Sequence, residues 1–277
     1  MIGVAAQSIG PALDVASADV GVVHSVFSHA VNLLVRGDLW TVLAAAKPDL
    51  PFGIRAGLPN FDGLGLQAGD SVNIRAGFVG LGQSRLVVDC RSAPRWIPTF
   101  ENNTAPAHGI TARMAIIAGA ARGRAWSGSA ELARMAQNVL QRPSDLGAAL
   151  AQVVGCGPGA TPSGDDVLVG VLAVLTSPKA GAAGAGAAES LCRSLPSHLL
   201  QTTDLSAHLL RQAARGLFSR PVHELVSALI SDSSSEQMQE AVQRVVETGA
   251  TSGADTCAGL LEIAPHYFIP SQEKAAA

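Results

Sequence analysis

The sequence is poor in charged and aromatic side chains, which make up 15% and 4% of its 277 residues. Its net charge of −3 and the absence of a lysine or arginine cluster predict no nucleic-acid partner. No apolar run reaches the roughly 18–20 residues that a membrane-spanning helix needs, so we expect no membrane span. Because no basic segment precedes the first apolar residues, we expect no signal peptide and predict a cytoplasmic location.

Cysteine is also scarce, and its spacing excludes two classes of site. The four cysteines lack CxxC pairs, which argues against a zinc site or a disulfide framework, and the histidines lack HExxH spacing, so no metal site is predicted. Apolar residues make up 48% of the chain, so much of the surface must be uncharged or covered. This favours a homo-oligomer or a subunit of a larger complex.

The pattern of apolar residues changes near position 108 and predicts an α+β fold in two parts. Residues 1–108 contain short segments rich in β-branched residues between turn signals, typical of a small barrel or sandwich. Residues 31–46 are also compatible with a helix. The predicted strands cover residues 20–27, 30–35, 39–44, 71–78 and 85–89, and residues 80–82 are a predicted turn.

Residues 109–277 have mainly helical periodicity. Glycine or proline punctuates the predicted helix ends, with Gly216 as a stop and Pro221 at a helix start. The low-complexity stretch at 179–188 is predicted to be a linker or loop. The predicted helices cover residues 111–121, 129–141, 144–154, 190–200, 203–215, 221–230 and 237–248.

One stretch, GCGPGATPSGDDVLVGVLAVL at residues 155–175, combines a glycine-rich turn with two adjacent carboxylates and an apolar run. Ser163 has the position of an N-cap, and Asp166 has the spacing of a capping box. We therefore predict a helix over residues 165–175 that is buried on all sides, since it has no polar face.

A similar pattern returns at residues 249–261, GATSGADTCAGLL, where Ser252, Gly253 and Asp255 correspond to Ser163, Gly164 and Asp166. An internal duplication and two walls of one site both explain the repetition. Neither copy fits a common nucleotide motif. The first lacks the acidic residue of a dinucleotide fold and carries two aspartates where a P-loop has Lys-Ser/Thr.

The residue types at the first loop suit small polar ligands. The helix dipole favours ionised carboxylates, so we expect Asp165 and Asp166 to be charged, catalytic, and able to accept N–H donors or Mg²⁺. The N–H groups of the glycine turn suit an anion. His24 is the candidate general base, although a hydrogen-bonded core histidine is the alternative. The predicted substrate-binding residues are Gly157, Gly159, Thr161, Ser163, Gly164, Thr202, Thr203, Ser206, Ser252, Gly253 and Asp255.

Three motifs, GxGPGxTPSGDD, TTDLSxHLL and TSGADTxxGLL, together with the early VHSVFSHAVNLL, resemble the AllH-like family. The resemblance covers most of the chain. That family includes a subunit of the oxamate carbamoyltransferase complex, and the chain departs from its usual form at Ala160, where a larger apolar residue is common.

The resemblance implies phosphorolysis of oxalurate to oxamate and carbamoyl phosphate, performed by several different subunits. The predicted function is therefore an enzyme or enzyme subunit for carbamoyl or acyl transfer on a small ureido or amide metabolite. The alternative is a non-catalytic scaffold or regulatory subunit whose glycine loops only cap helices. The two hypotheses differ on whether Asp166 serves chemistry or only the fold.

Overall fold

The computed structural model describes residues 1–100, 107–140 and 146–269. The chain divides into two compact units, Met1–Pro98 and Thr99–Ala277. The first unit is built of strands and the second of helices, which confirms the predicted α+β class. The strands are β1 (Ile2–Ile9), β2 (Asp19–Phe27), β3 (Ala30–Val35), β4 (Asp38–Leu43), β5 (Gly53–Ala56), β6 (Ser71–Arg75), β7 (Phe78–Leu81) and β8 (Leu86–Asp89).

The first unit is a closed eight-stranded barrel in the order β1-β5-β4-β3-β2-β6-β7-β8. The pairs β1–β8 and β4–β5 are parallel, and the other neighbours are antiparallel. Alternate residues point inward along the strands, as the burial of Val72 and Ile74 in β6 shows. Of the two predicted architectures, the barrel is therefore the observed one.

The helix considered for residues 31–46 is wrong, because this stretch forms the hairpin of β3 and β4. Arg36 and Gly37 make the turn with positive φ angles of 52° and 83°, the backbone that a tight hairpin requires. The predicted strand at 71–78 is two strands, β6 and β7, joined by a second turn at Ala76–Gly77. The predicted turn at 80–82 is wrong in its first two residues, which lie in β7, and β1 and β5 had no prediction.

In the described residues of the second unit, all regular elements are helices. Pro221 stands at the start of a helix, and Gly216 follows the end of another with φ 74°, as predicted. The helices are α1 (Ala107–Ala121), α2 (Ser129–Leu140), α3 (Leu146–Val153), α4 (Ser163–Leu175), α5 (Gly181–Ser194), α6 (Asp204–Ala213), α7 (Arg220–Ile230), α8 (Ser235–Val246) and α9 (Ser252–Phe268), with 3-10 turns at Pro178–Ala180 and Leu195–Gln201.

The prediction of a loop at 179–188 is wrong, because residues 178–194 form a 3-10 turn and then α5. Alanine has the highest helix propensity and offsets the glycines in this stretch. Gly184 has a packing reason to be glycine, since a Cβ there would overlap Ala180 and come within 2.8 Å of the Leu175 carbonyl oxygen. The end of the predicted helix 129–141 and the start of 144–154 lie outside the described residues.

Helices α4 and α9 form the centre of the helical unit. All residues of α4 except Val169 are buried, as its lack of a polar face predicts. The two helices touch backbone to backbone, since a Cβ at Gly170 would overlap the carbonyl oxygen of Thr256, and one at Gly259 that of Val167. Gly170 and Gly259 therefore mark the crossing point of the two helices.

Within the described ranges, no single helix is both long and apolar enough to span a membrane. Only α4 together with the stretch Pro178–Gln201 meets the length and hydropathy criteria, as a pair bent by 66°.

Candidate functional site

The glycine loop between α3 and α4 alternates in backbone conformation. Gly155, Gly157 and Gly159 have φ angles of 74°, 105° and 98°, and the residues between them have negative φ. Alternation of this kind is typical of backbone segments whose successive N–H groups bind an anion. Each positive angle favours glycine, because a side chain would be strained there.

Several N–H groups of this loop are free to bind a ligand. Those of Gly157, Gly159, Ala160 and Thr161 donate to no acceptor among the described residues. The tip of the loop, Pro158 to Ala160, is exposed to solvent, so the donors of Gly159 and Ala160 are open to an incoming molecule, and Gly157 and Thr161 beside them are half-buried. The loop therefore combines free backbone donors with the concave conformation expected of an oxyanion site.

Helix α4 begins differently from the prediction. Pro162 occupies the N-cap position, Ser163 is the first helical residue, and no side chain caps the helix. The predicted capping box of Ser163 and Asp166 is therefore wrong. Ser163 is fully buried, and its hydroxyl has no hydrogen-bond partner. It lies directly under the loop, since a Cβ at Gly157 would be 3.0 Å from Ser163 Oγ.

Asp165 is a structural carboxylate. It is 1% exposed and accepts three hydrogen bonds, from the Gly155 N–H at 2.8 Å, the Ser206 hydroxyl at 2.6 Å and the Thr202 hydroxyl. These contacts join the start of the glycine loop to the start of α6. Asp165 also lies near the N-termini of α4 and α6, where helix dipoles favour an anion.

The hydroxyls around α6 fix the same loop from its other end. Thr203 caps α6 by accepting from the Ser206 N–H at 3.1 Å. Its own hydroxyl donates to the Ala160 carbonyl at 2.6 Å. The predicted ligand-binding residues Thr202, Thr203 and Ser206 thus all lie at the glycine loop, and each has a structural partner there.

Asp166, next along the helix, has the opposite environment. It is 7% exposed, and its Oδ2 is buried without a hydrogen-bond partner. Burial raises the pKa of Asp166 to about 8, the Ser252 and Thr161 hydroxyls partly offset that rise, and the negative charges of Asp255 and Asp165 add to it. The prediction that both adjacent aspartates are ionised is therefore wrong for Asp166, which carries a proton at neutral pH.

The two glycine-loop motifs meet in one place. The hydroxyls of Thr161 and Ser252 are 2.8 Å apart, and Ser252 and Asp255 both act on Asp166. Further along the two helices, Gly170 of α4 lies against Leu260 of α9, so the contacts follow the same chain direction in both. Helices α4 and α9 are therefore parallel at the site, with both N-termini directed to the same point.

Asp255 repeats the role of Asp165 in the second motif. It is fully buried, and its Oδ1 accepts from the Ser129 hydroxyl at 2.6 Å and the Trp126 N–H at 2.8 Å, at the start of α2. Its Oδ2 is buried and unpartnered, like that of Asp166. Neither Ser129 nor Trp126 was predicted to contact the site, because nothing in the sequence connects them to a residue more than a hundred positions away.

The two serine-glycine pairs contribute differently to the site. Gly164 and Gly253 are buried, and a Cβ at either would overlap a carbonyl oxygen, that of Val153 or of Val245 respectively. Both glycines thus let the end of one helix touch the start of the next. Ser252, in contrast, is half-buried beside Thr161.

His24 lies in the barrel unit on β2 and is half-buried. Its Nδ1 is 3.2 Å from Ser25 Oγ, which in turn accepts from the Asn32 amide at 3.0 Å. Asn32 accepts from the Thr41 hydroxyl at 2.8 Å, so the histidine belongs to a polar network across β2, β3 and β4. Its role as a general base stays a prediction.

The carboxylates do not fit a Mg²⁺ site at the adjacent aspartates. Both oxygens of Asp165 are occupied by protein donors, and burial disfavours the charged form of Asp166 that a cation needs. In the described part of the chain, no three His, Cys, Asp or Glu side chains converge on a possible metal position.

A cavity of about 640 Å³ lies between α1 and α8, and no glycine-loop residue is part of its lining.

A closed barrel and a helical unit with two paired glycine loops define a two-unit α+β protein with a candidate oxyanion site. The chain belongs to the AllH family: the model for oxamate carbamoyltransferase subunit AllH matches residues 153–263, and that for the AllH family N-terminal domain matches residues 6–95. The first match spans both glycine-loop motifs. The predicted family is thereby confirmed. No solved structure matches the chain.

Proposed function

We propose that this protein is an enzyme subunit that transfers a carbamoyl group on a small ureido or amide metabolite, with its site at the glycine loop. One observation carries the proposal: free loop N–H groups lie at two converging helix N-termini beside a buried carboxyl group with an unpartnered oxygen. A stable fold does not need an unsatisfied carboxyl there, since such a group costs free energy. The matched family is named as a subunit of oxamate carbamoyltransferase, which supports action in a complex with other subunits.

The groups present suit the two ends of a ureido acid reacting with phosphate. The N–H groups of Gly157, Gly159, Ala160 and Thr161 bind the oxyanion, and Asp166 donates and then regains the proton. In the transfer, a phosphate oxygen bonds to the carbamoyl carbon and the C–N bond to the amide breaks. The leaving nitrogen takes the proton of Asp166, and the attacking hydrogen phosphate returns its proton to that carboxylate. Positioning and electrostatics supply the catalysis, without a covalent nucleophile.

A thermal-shift panel tests ligand binding by the purified chain. The panel contains phosphate, carbamoyl phosphate, oxamate and oxalurate, each with and without Mg²⁺. Ligands that bind only the folded state raise its melting temperature by mass action. We expect a saturable shift with phosphate or the ureido acid, and no shift with any compound would count against a site on this chain alone.

A turnover assay tests the catalytic role of Asp166. Carbamoyl phosphate and oxamate are supplied to the chain together with its co-purifying subunits, and release of phosphate is measured. The Asp166→Asn variant, which has no proton to transfer, should lose turnover by a factor of roughly 100 or more while it stays folded. Turnover at the wild-type rate in this variant would remove Asp166 from the mechanism.

The second candidate is a scaffold or regulatory subunit, and the contacts of Asp165 and Asp255 favour it. Each of these carboxylates joins two helix N-termini through hydrogen bonds, so much of the motif serves the fold. For a scaffold, the loop would bind none of the panel compounds and Asp166→Asn would leave the rate of the complex unchanged. The same two experiments therefore separate the candidates.

A further inference from the structure

Asp166 of α4 and Asp255 of α9 lie close enough for the charge of one to act on the other. Both are at least nine-tenths buried, and each has a buried Oδ2 without a partner. Two negative charges in such a place repel each other strongly, so one carboxyl group must hold a proton. The surroundings of Asp166 and Asp255 determine which of them holds the proton.

The hydrogen bonds of the two residues differ, and the difference places the proton on one of them. Asp255 Oδ1 accepts from the Ser129 hydroxyl and the Trp126 N–H, and these donors stabilise the carboxylate form. The hydroxyls near Asp166, those of Thr161 and Ser252, also bond to each other at 2.8 Å, and Asp166 Oδ2 has no partner. The proton therefore lies on Asp166, whose O–H can donate to a ligand. Pairs of acids with opposite environments are a common way of keeping one of them neutral.

We propose that the neutral Asp166 carboxylic acid is a hydrogen-bond donor to an oxyanion held by the glycine-loop N–H groups, and that Asp255 is the positioning residue that keeps Asp166 protonated. This inference rests on the oxyanion site of the proposed function. It names the ligand class, a small oxyanion such as sulfate or phosphate. The buried hydroxyl of Ser163 under Gly157, which also has no partner, supplies one more donor aimed at the loop.

Two charged neighbours act on the protonation of Asp166. Asp165 on the same helix and Asp255 on α9 both disfavour its charged form. The flanking helices carry further titratable groups, Glu131 in the first turn of α2 and Asp204 and His208 in α6, and none of these is a main cause of the raised pKa. The charged side chains of α5 and α7 are not among the main causes either. The pH at which Asp166 ionises therefore reports its burial and its two aspartate neighbours.

Inorganic sulfate tests this inference, because its charge stays constant over the relevant pH range. Its affinity for the full chain is measured at constant ionic strength by thermal shift and by protection of Cys156, a half-buried loop cysteine, from alkylation. In the wild-type protein we expect constant affinity at low pH and a loss above about pH 8, where Asp166 ionises. The loss should approach tenfold per pH unit.

Two variants distinguish a donor from a structural residue. Asp166→Asn keeps an N–H donor that cannot ionise, so sulfate should bind at neutral pH and the loss at high pH should disappear. Asp255→Asn keeps the acceptor oxygen for Ser129 but removes the charge, so the loss should occur at lower pH. Glu189→Gln, a change from carboxylate to amide on exposed α5, is the matched control and should behave as wild type.

Three results would overturn the inference: no sulfate binding at any pH, affinity that does not change with pH in the wild-type protein, or loss of binding in Asp166→Asn at neutral pH. An unchanged pH profile in Asp255→Asn would remove its positioning role. These outcomes are separable from the proposed function. If sulfate binds as expected but the complex transfers no carbamoyl group, the oxyanion site stands and the proposed reaction is rejected. If the complex transfers the carbamoyl group but sulfate binding does not depend on pH, the proposed reaction stands and the donor role of Asp166 is rejected.

Discussion

Replacing Asp166 by Asn should stabilise this protein, and the gain should depend on pH. The folded state holds the Asp166 proton up to about pH 8, whereas an ordinary aspartate has a pKa of 3.8. At pH values between these two pKa values, Asp166 is protonated in the folded state and ionised in the unfolded state. The folded pKa is the raised one, so the free energy of unfolding decreases as the pH rises from about 4 to about 8 and is flat above.

The magnitude follows from the size of this shift. Each pH unit between the two pKa values costs about 1.4 kcal/mol, so the ceiling is about 4 kcal/mol at pH 7 and about 5 kcal/mol at pH 8. Asparagine does not ionise and is free of this cost. We expect a gain of a few kcal/mol near pH 8 and almost none near pH 4.

Denaturant unfolding, followed by the helical circular dichroism signal, measures this difference across the same pH range. Asp165→Asn is the matched control, one residue away on the same helix. Asp165 accepts three hydrogen bonds as a carboxylate, so its replacement should destabilise the protein by about 2–4 kcal/mol. An Asp166→Asn variant that is destabilised at pH 8, or shows a gain independent of pH, would refute the assignment of a proton to Asp166.

Gly259→Ala should destabilise the protein by about 1–3 kcal/mol, since the added Cβ overlaps the Val167 carbonyl and forces α4 and α9 apart. Gly119→Ala in α1 has open space and should gain up to about 1 kcal/mol from helix propensity, so equal effects in denaturant unfolding would contradict the close crossing. Alkylation followed by peptide mass spectrometry should modify Cys156 well before Cys257. Burial raises the pKa of the Cys257 thiol to about 12, and equal rates would contradict its burial.

The sequence predicted the elements whose signals are local. Alternating β-branched residues located β2, β3, β4 and β8, and the lack of a polar face predicted that α4 is buried. The prediction of a loop at 179–188, where α5 lies, was wrong. It gave more weight to the glycines of this stretch than to its alanines, and the close packing at Gly184 leaves no signal in the neighbouring sequence. Pro162, not Ser163, is the N-cap of α4 for a related reason: Ser163 lies buried under the loop.

The candidate site divides in the same way. The sequence by itself determined the glycine loop, its second copy and the adjacent aspartates, because these are patterns within a few residues. Only the tertiary structure decided what each aspartate does. Neighbours on a helix point about 100° apart, so Asp165 meets the donors at the start of α6 while Asp166 faces α9 and Asp255. The charge on a carboxyl group depends on burial and on partners distant in the chain, and neither can be read from its neighbours in sequence.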